Sequence, residues 1–273
     1  MRQGSVGAWG WVLVAGAALA AGCGSTGIGN PGTGSATLSL TIVNDDDPEP
    51  GAADPETELA ADQLRHAVLV FGQLRWLPCE ATDEPVVVPG QIVVDLATGR
   101  VEPELADVTV PPAGFCGLEA PLAPARAPAT LVGRSVFFSG LREDGTLFLL
   151  YGSVAGTLQV RARPGVTWGT QDEEHVSLLW AQRPRRWLTP GEIEDADAVP
   201  VGDIEDLDAI EDTQAIERVI PIDADRHPLL LELVRARLAG RSTLHLDTNS
   251  NARLDPAERD DEAWLGSGLP ELD

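Results

Sequence analysis

The chain has 273 residues, a formal net charge of −24, and a composition that is 43% hydrophobic and 23% charged. Those proportions are ordinary for a globular protein, and with a leader set aside they leave about 240 residues, enough for one good core or two small ones. An acidic field of this size repels phosphate backbones and anionic headgroups, which excludes nucleic acid and charged membrane surfaces as partners.

The first residues set Arg2 before an apolar run from Trp9 to Ala21, which ends in Leu19-Ala20-Ala21-Gly22-Cys23. A run of about thirteen suffices for a signal-peptide core and falls short of the ~20 residues needed to cross a bilayer, so the segment reads as an address. The order resembles the lipobox of bacterial lipoproteins, in which a signal peptidase cuts before a cysteine that is then acylated. The resemblance implies a signal peptide over 1–22, lipidation of Cys23, and a mature protein held in the cell envelope with the membrane as partner through its anchor. Two or three acyl chains anchor stably at ~0.8 kcal/mol per buried methylene. Leu19 stands one position further from the cysteine than in the commonest pattern, and an ordinary secreted protein cut near Ala21 is the alternative. Gly24 and Ser25 carry no aspartate retention signal, which points to the outer membrane rather than the inner.

With Cys23 assigned to lipid, Cys79 and Cys116 remain, and an isolated pair in an oxidising compartment is expected to join. Chain entropy gives such a disulfide about 4 kcal/mol at most. Two buried free thiols are the alternative. Neither cysteine has a histidine or basic cluster near it in sequence, which argues against a catalytic thiol.

Residues 23–34 are small and polar and read as a flexible tether. From Ser35 the chain alternates, with Leu38, Leu40 and Ile42 on one face of a half-buried strand. An acidic, proline-rich stretch from Asn44 to Asp62 reads as a solvated loop. Short strands are then expected over 66–76, 91–96, 108–110, 130–139, 146–151, 157–163 and 175–181. Asp144-Gly145 between two apolar runs is the clearest hairpin turn, because both central positions want positive φ. Such short strands with frequent turns suggest a β-sandwich. The succession of an alternating strand, one ending at Trp76, Ile92–Leu96 and then Val108–Glu119 is similar to a β-sandwich domain of unknown function in bacterial lipoproteins, of immunoglobulin or transthyretin-like kind. The resemblance covers 35–163 and implies a fold and a location.

Beyond Trp187 the pattern changes, and a smaller α/β portion is expected over 164–273. Thr189, Pro190 and Glu192 spell a capped helix start. Eleven acidic residues and no arginine lie between Glu192 and Glu217; Ile204, Leu207 and Ile210 keep helical spacing there, so a short amphipathic helix with solvated carboxylates is expected. A strand over 218–222 and a helix over 227–239 follow, the helix opened by Pro228 and stopped by Gly240.

The stretch Asp247-Thr-Asn249-Ser-Asn251-Ala-Arg253-Leu-Asp255-Pro-Ala-Glu258 resembles the twelve-residue loop of EF-hand calcium sites. Calcium takes six to eight oxygens, and alternate short oxygen side chains around a tight turn supply them. The resemblance implies Asp247, Asn249, Asn251 and Glu258 as direct ligands, the Arg253 backbone carbonyl as another, and Asp255 acting through water. The sixth position, usually glycine, is Ala252, and a left-handed conformation there costs ~1 kcal/mol or more. Asp255-Pro256-Ala257-Glu258 also reads as a capped helix start, without a metal.

No nucleophile elbow, zinc-protease, phosphate-loop or dinucleotide motif occurs, so no catalytic residue is assigned. His175 and His227 lie near carboxylates without a recurring transition-metal spacing. Trp76, Trp168, Trp180 and Trp187 are expected in the core rather than on a glycan-binding face. The function this supports is a lipid-anchored binding or structural protein stabilised by calcium, with a protein or glycan partner. The alternative is a secreted, glycosidase-like hydrolase with an unrecognised carboxylate pair.

Overall fold

The computed structural model describes residues 36–46, 56–80, 82–110, 114–169, 175–204, 216–260 and 262–269. Cys23, the tether and the expected helix around Leu207 and Ile210 lie outside the described residues. Residues 32–273 form one compact unit. Among the described residues no helix is long and apolar enough to cross a membrane.

The protein is mainly β. Its strands are β1 (Ala36–Asn44), β2 (Leu64–Pro78), β3 (Val86–Asp95), β4 (Arg100–Glu102), β5 (Val108–Val110), β6 (Phe115–Pro121), β7 (Val136–Leu141), β8 (Leu147–Gly152), β9 (Thr157–Ala162), β10 (His175–Gln182), β11 (Val199–Pro200), β12 (Arg218–Pro221), β13 (Thr243–Leu246) and β14 (Trp264–Gly268), with helices α1 (Pro190–Glu194) and α2 (Pro228–Gly240). They pair in the order β11-β12-β8-β7-β2-β6-β9-β14-β13-β10-β1-β5, with β3 branching from β2 and β4 pairing with β3.

The long β2 is the spine. Its first half pairs with β7 and its last residues with β6, while β3 runs along its other side with a register shift between Phe71 and Gln73. The period-2 pattern of β1 buries Ala36, Leu38, Leu40 and Ile42, as alternation requires. Trp180 of β10 stacks on Phe71 of β2 with ring centroids 5.4 Å apart, although β6, β9, β14 and β13 separate the two strands in the ladder. The sheet therefore curls until distant strands face one another across one core. Trp76, Trp168, Trp180 and Trp187 all lie in it, none more than 1% exposed.

Strands from either side of residue 163 alternate in this sheet. β10 runs parallel to β1 from Thr37↔His175 to Asn44↔Gln182, β12 runs parallel to β8, and β14 pairs with β9. The α/β segment and the sandwich segment thus share one ladder and one apolar cluster.

Several local expectations shift. The strand expected over 130–139 begins only at Val136, because Ala129–Leu131 form a 3-10 turn and Gly133 reverses the chain at φ 79°. α1 carries the Thr189–Glu192 capping box but lasts only five residues. α2 buries Leu230, Val234, Leu238 and Ala239 on one stripe. Cys79, just past β2, and Cys116 of β6 form a disulfide with Cα atoms 4.9 Å apart.

Candidate functional site

The 247–258 loop follows β13 and ends in a 3-10 turn, Pro256–Glu258. Its short side chains fold onto its own backbone. Asp247 Oδ1 accepts the Asn251 N–H at 3.2 Å and Oδ2 the Ala252 N–H at 3.1 Å. Asn249 Oδ1 accepts the Asn251 N–H at 3.0 Å, and Asn251 Oδ1 accepts the Arg253 N–H at 2.8 Å. Both asparagine amides donate to Asp255 Oδ2, at 2.9 and 2.7 Å. Ser250 and Ala252 sit at φ 57° and 58°, so the sixth position adopts the left-handed turn that its glycine-free sequence makes costly.

Glu258 is fully buried and ties the ends of the loop together. Its Oε1 accepts from the Thr248 N–H at 2.8 Å and the Thr248 hydroxyl at 3.1 Å, while Oε2 accepts the Asp255 N–H at 3.1 Å. The loop thus brings Asp247, Asn249, Asn251 and Asp255 into one hydrogen-bonded turn, with Glu258 closing its base. Every side-chain acceptor in the set is oxygen, the chemistry a hard cation takes; Asp255 Oδ2 and Glu258 Oε1 each already accept two bonds, while both Asp247 oxygens and the Asn251 oxygen accept one each. Among the described residues no three His, Cys, Asp or Glu side chains converge as a metal group; the two asparagine amides stand between the carboxylates. A calcium ion would be held by the asparagine oxygens as much as by acids.

The loop is docked on the outer face of the sheet. Leu254 packs with Val43, Leu179 and Ala181 in a small cluster of its own. His245 of β13 is buried, with Nδ1 2.7 Å from the Glu258 carbonyl, so Nδ1 carries the proton and donates. Burial pushes the His245 pKa down, and its Nε2 has no hydrogen-bond partner.

Beside the loop lies an ion network in a stretch expected to be solvated. Asp45, Asp46 and Glu58 are 6%, 8% and 6% exposed, which corrects that expectation. The cause is the arginine-rich turn at 183–186. Asp45 is clamped between Arg183 and Arg259, the latter through Arg259 Nη2 at 2.7 Å. Glu58 pairs with Arg186 and lies 4.0 Å from Arg185. Arg185 donates through Nη1 to the Asp46 carbonyl at 3.0 Å and through Nε to the Leu59 carbonyl. Asp46 Oδ2 accepts the Arg185 N–H at 2.9 Å, while its Oδ1 is buried with no partner. Desolvation, offset only in part by Arg185, raises the Asp46 pKa from its ordinary 3.8 to about 7. Sequence reading missed this cluster; the opposite signs of Asp45-Asp46 and Arg183–Arg186 were the available signal.

The other histidines make local bonds. His175 Nε2 is 3.1 Å from the Ser177 hydroxyl and 3.3 Å from that of Ser39, which itself donates to Asp107 at 2.6 Å. His227 Nε2 donates to the Asp197 carbonyl at 2.9 Å.

The sequence matches no family model and no curated protein. A solved structure, MbnP from Methylosinus trichosporium, is similar over 54% of this chain and 75% of that one, at 10% identity and a TM-score of 0.28. A likeness that slight carries no argument about function.

Proposed function

We propose that the chain is a lipid-anchored protein of the cell envelope, of binding or structural type, whose 247–258 loop takes calcium as a structural ion. The observation that carries the anchor is the order of Arg2, the short apolar run and Leu-Ala-Ala-Gly before Cys23. Calcium is supported by the alternation of oxygen side chains at 247, 249 and 251, which a capped helix start does not need, and by the left-handed Ala252 at the tight turn. Asp247, Asn249, Asn251, the Arg253 carbonyl and Glu258 would hold the ion, and Asp255 would act through water. Its role would be to pin onto the sheet the loop that carries Leu254 and leads into Arg259.

Expression of the full chain in a bacterium, followed by membrane fractionation and mass spectrometry, tests the anchor. The protein is expected in the membrane fraction with acyl mass on Cys23, and Cys23→Ala is expected to release it. A soluble, unacylated product cut near Ala21 would overturn the reading. Turnover of a glycoside by the purified protein would place the chain with hydrolases instead.

A further inference from the structure

The last turn of α2 lies against the arginine-rich turn at 183–186. Gln182 Nε2 donates to the Ser242 hydroxyl at 2.5 Å, and Arg237 Nη1 to the Trp187 carbonyl at 3.4 Å. Arg241, one helical turn beyond Arg237 and on the same face, is thereby set beside Arg183 and Arg186. Three of these arginines have counter-charges. Arg183 binds Asp45 and Arg186 binds Glu58, each through Nε and Nη2, while Arg237 grips both oxygens of Glu192 at 2.6 and 2.7 Å. Asp45 is shared with Arg259, so guanidiniums outnumber carboxylates here. Arg241 is exposed, and its side chain makes no hydrogen bond or ion pair among the described residues. Nη1 of Arg183 and Nη1 of Arg186 are also unengaged and are not sealed from solvent, on side chains 32% and 30% exposed. Partial burial and the like charges of Arg237, Arg186 and Arg183, against Glu192, hold the Arg241 pKa below its ordinary value.

The chain has 43 acidic and 19 basic residues, yet Arg241 stands among arginines without a carboxylate of its own. Gathering like charges this way costs free energy that a bound anion relieves. The negative end of α2 does not oppose an anion, because its last carbonyls are taken: Arg237, Leu238 and Ala239 accept from the Arg241 N–H, the Ser242 hydroxyl and the Ser242 N–H at 2.9, 3.3 and 3.4 Å. A carboxylate is satisfied by one fork, as Glu192 is by Arg237. The donors left over come from separate guanidiniums on two elements, a complete fork from α2 and one nitrogen each from Arg183 and Arg186. That set fits a tetrahedral oxyanion, with two charges and oxygens in several directions. The acidity of the rest of the molecule favours a small soluble ion over a charged surface. We propose that Arg241, Arg183 and Arg186 form a binding site for a small soluble phosphate, inorganic or monoester. The inference supplies a ligand for the binding role proposed above and needs neither the lipid nor calcium. It is read by heat of binding, whereas the anchor is read by fractionation, so the two fail separately.

The test is calorimetric titration of the full chain in mild detergent and phosphate-free buffer at pH 7.5. The titrants are inorganic phosphate, glycerol phosphate, acetate, and phosphatidic acid dispersed in the same detergent. Saturable heat is expected with inorganic phosphate and glycerol phosphate, and about tenfold weaker binding with acetate. Arg241→Ala is expected to weaken phosphate binding about tenfold and to lose the rise in melting temperature that phosphate gives the native chain. Without phosphate its melt is expected to be no lower than the native one, since the guanidinium removed has no internal partner, and that melt verifies folding. Arg126→Ala removes an exposed arginine between β6 and β7, with the same change in net charge, and is expected to bind phosphate as the native chain does. Neither heat nor a melting shift with phosphate, equal affinity for acetate and phosphate, equal losses in the two variants, or binding of phosphatidic acid but not of inorganic phosphate would overturn the proposal.

Discussion

Asp46 makes stability depend on pH in a direction opposite to that of a salt-bridged carboxylate. Its folded pKa is raised to about 7 while its unfolded value stays near 3.8, so the folded state holds a proton that the unfolded state releases. Its contribution is fully present below about pH 4 and is lost as pH rises through 7. Three pH units correspond to about 4 kcal/mol as an upper bound. Urea unfolding at pH 5 and pH 8 is expected to show the native chain losing stability across that window and Asp46→Asn losing less; identical slopes would remove the effect. Two loop positions act differently. Ala252→Gly relieves the left-handed strain and is expected to raise the melting temperature by a few degrees. Glu258→Ala strands the Thr248 and Asp255 donors and is expected to cost about 3 kcal/mol even in chelator. The sequence marked Glu258 both as a ligand and as a cap. Its full burial was not legible, because it depends on Leu254 and His245 docking the loop against β10 and β13.

Strands with clean alternation were the readable ones: β1, β8 and β10 fall close to where Leu38, Leu40, the Asp144-Gly145 turn and Val176–Trp180 place them. β14 was not readable, since Trp264-Leu-Gly-Ser-Gly268 has two glycines and little β propensity. The ladder itself demands them. A Cβ on Gly266 would overlap the Arg161 carbonyl of β9, and one on Gly268 the Ala239 carbonyl of α2. Gly266→Ala is therefore expected to cost about 3 kcal/mol or more, read by thermal unfolding, and a neutral result would mean that β9 and β14 sit further apart. β6 was hidden for a related reason: its Phe-Cys-Gly-Leu run follows two prolines and gains strand character only through β2 and β9.

The change in composition after Trp187 has no counterpart in the ladder, where β12, β13 and β14 from beyond it pair with β8, β10 and β9. β1 finds its parallel partner in β10, well over a hundred residues away, and no local pattern announces such a pairing. Ending the chain at residue 163 removes β10 to β14, the buried faces of Trp180 and Trp187, and Arg183 and Arg259, the arginine partners of Asp45 among the described residues. The truncated product is expected to lack a cooperative melt, and a sharp transition in it would show that 35–163 folds alone. The ion network follows the same logic, since Asp45 and Asp46 read as loop until the fold sets Arg183–Arg186 against them.

Calcium remains the point where sequence pattern, loop geometry and proposed role meet. Thermal unfolding of the full chain in millimolar calcium and in chelator, repeated with Asp247→Ala, bears on all three. Occupancy at a hundred times the dissociation constant adds ~2.7 kcal/mol, a shift of several degrees for a chain of this size. That shift is expected in the native protein, and its loss in the variant. Superimposable melts with and without calcium in the native protein would contradict the calcium reading, and would leave the loop as a turn held by its own hydrogen bonds, Glu258 and Leu254.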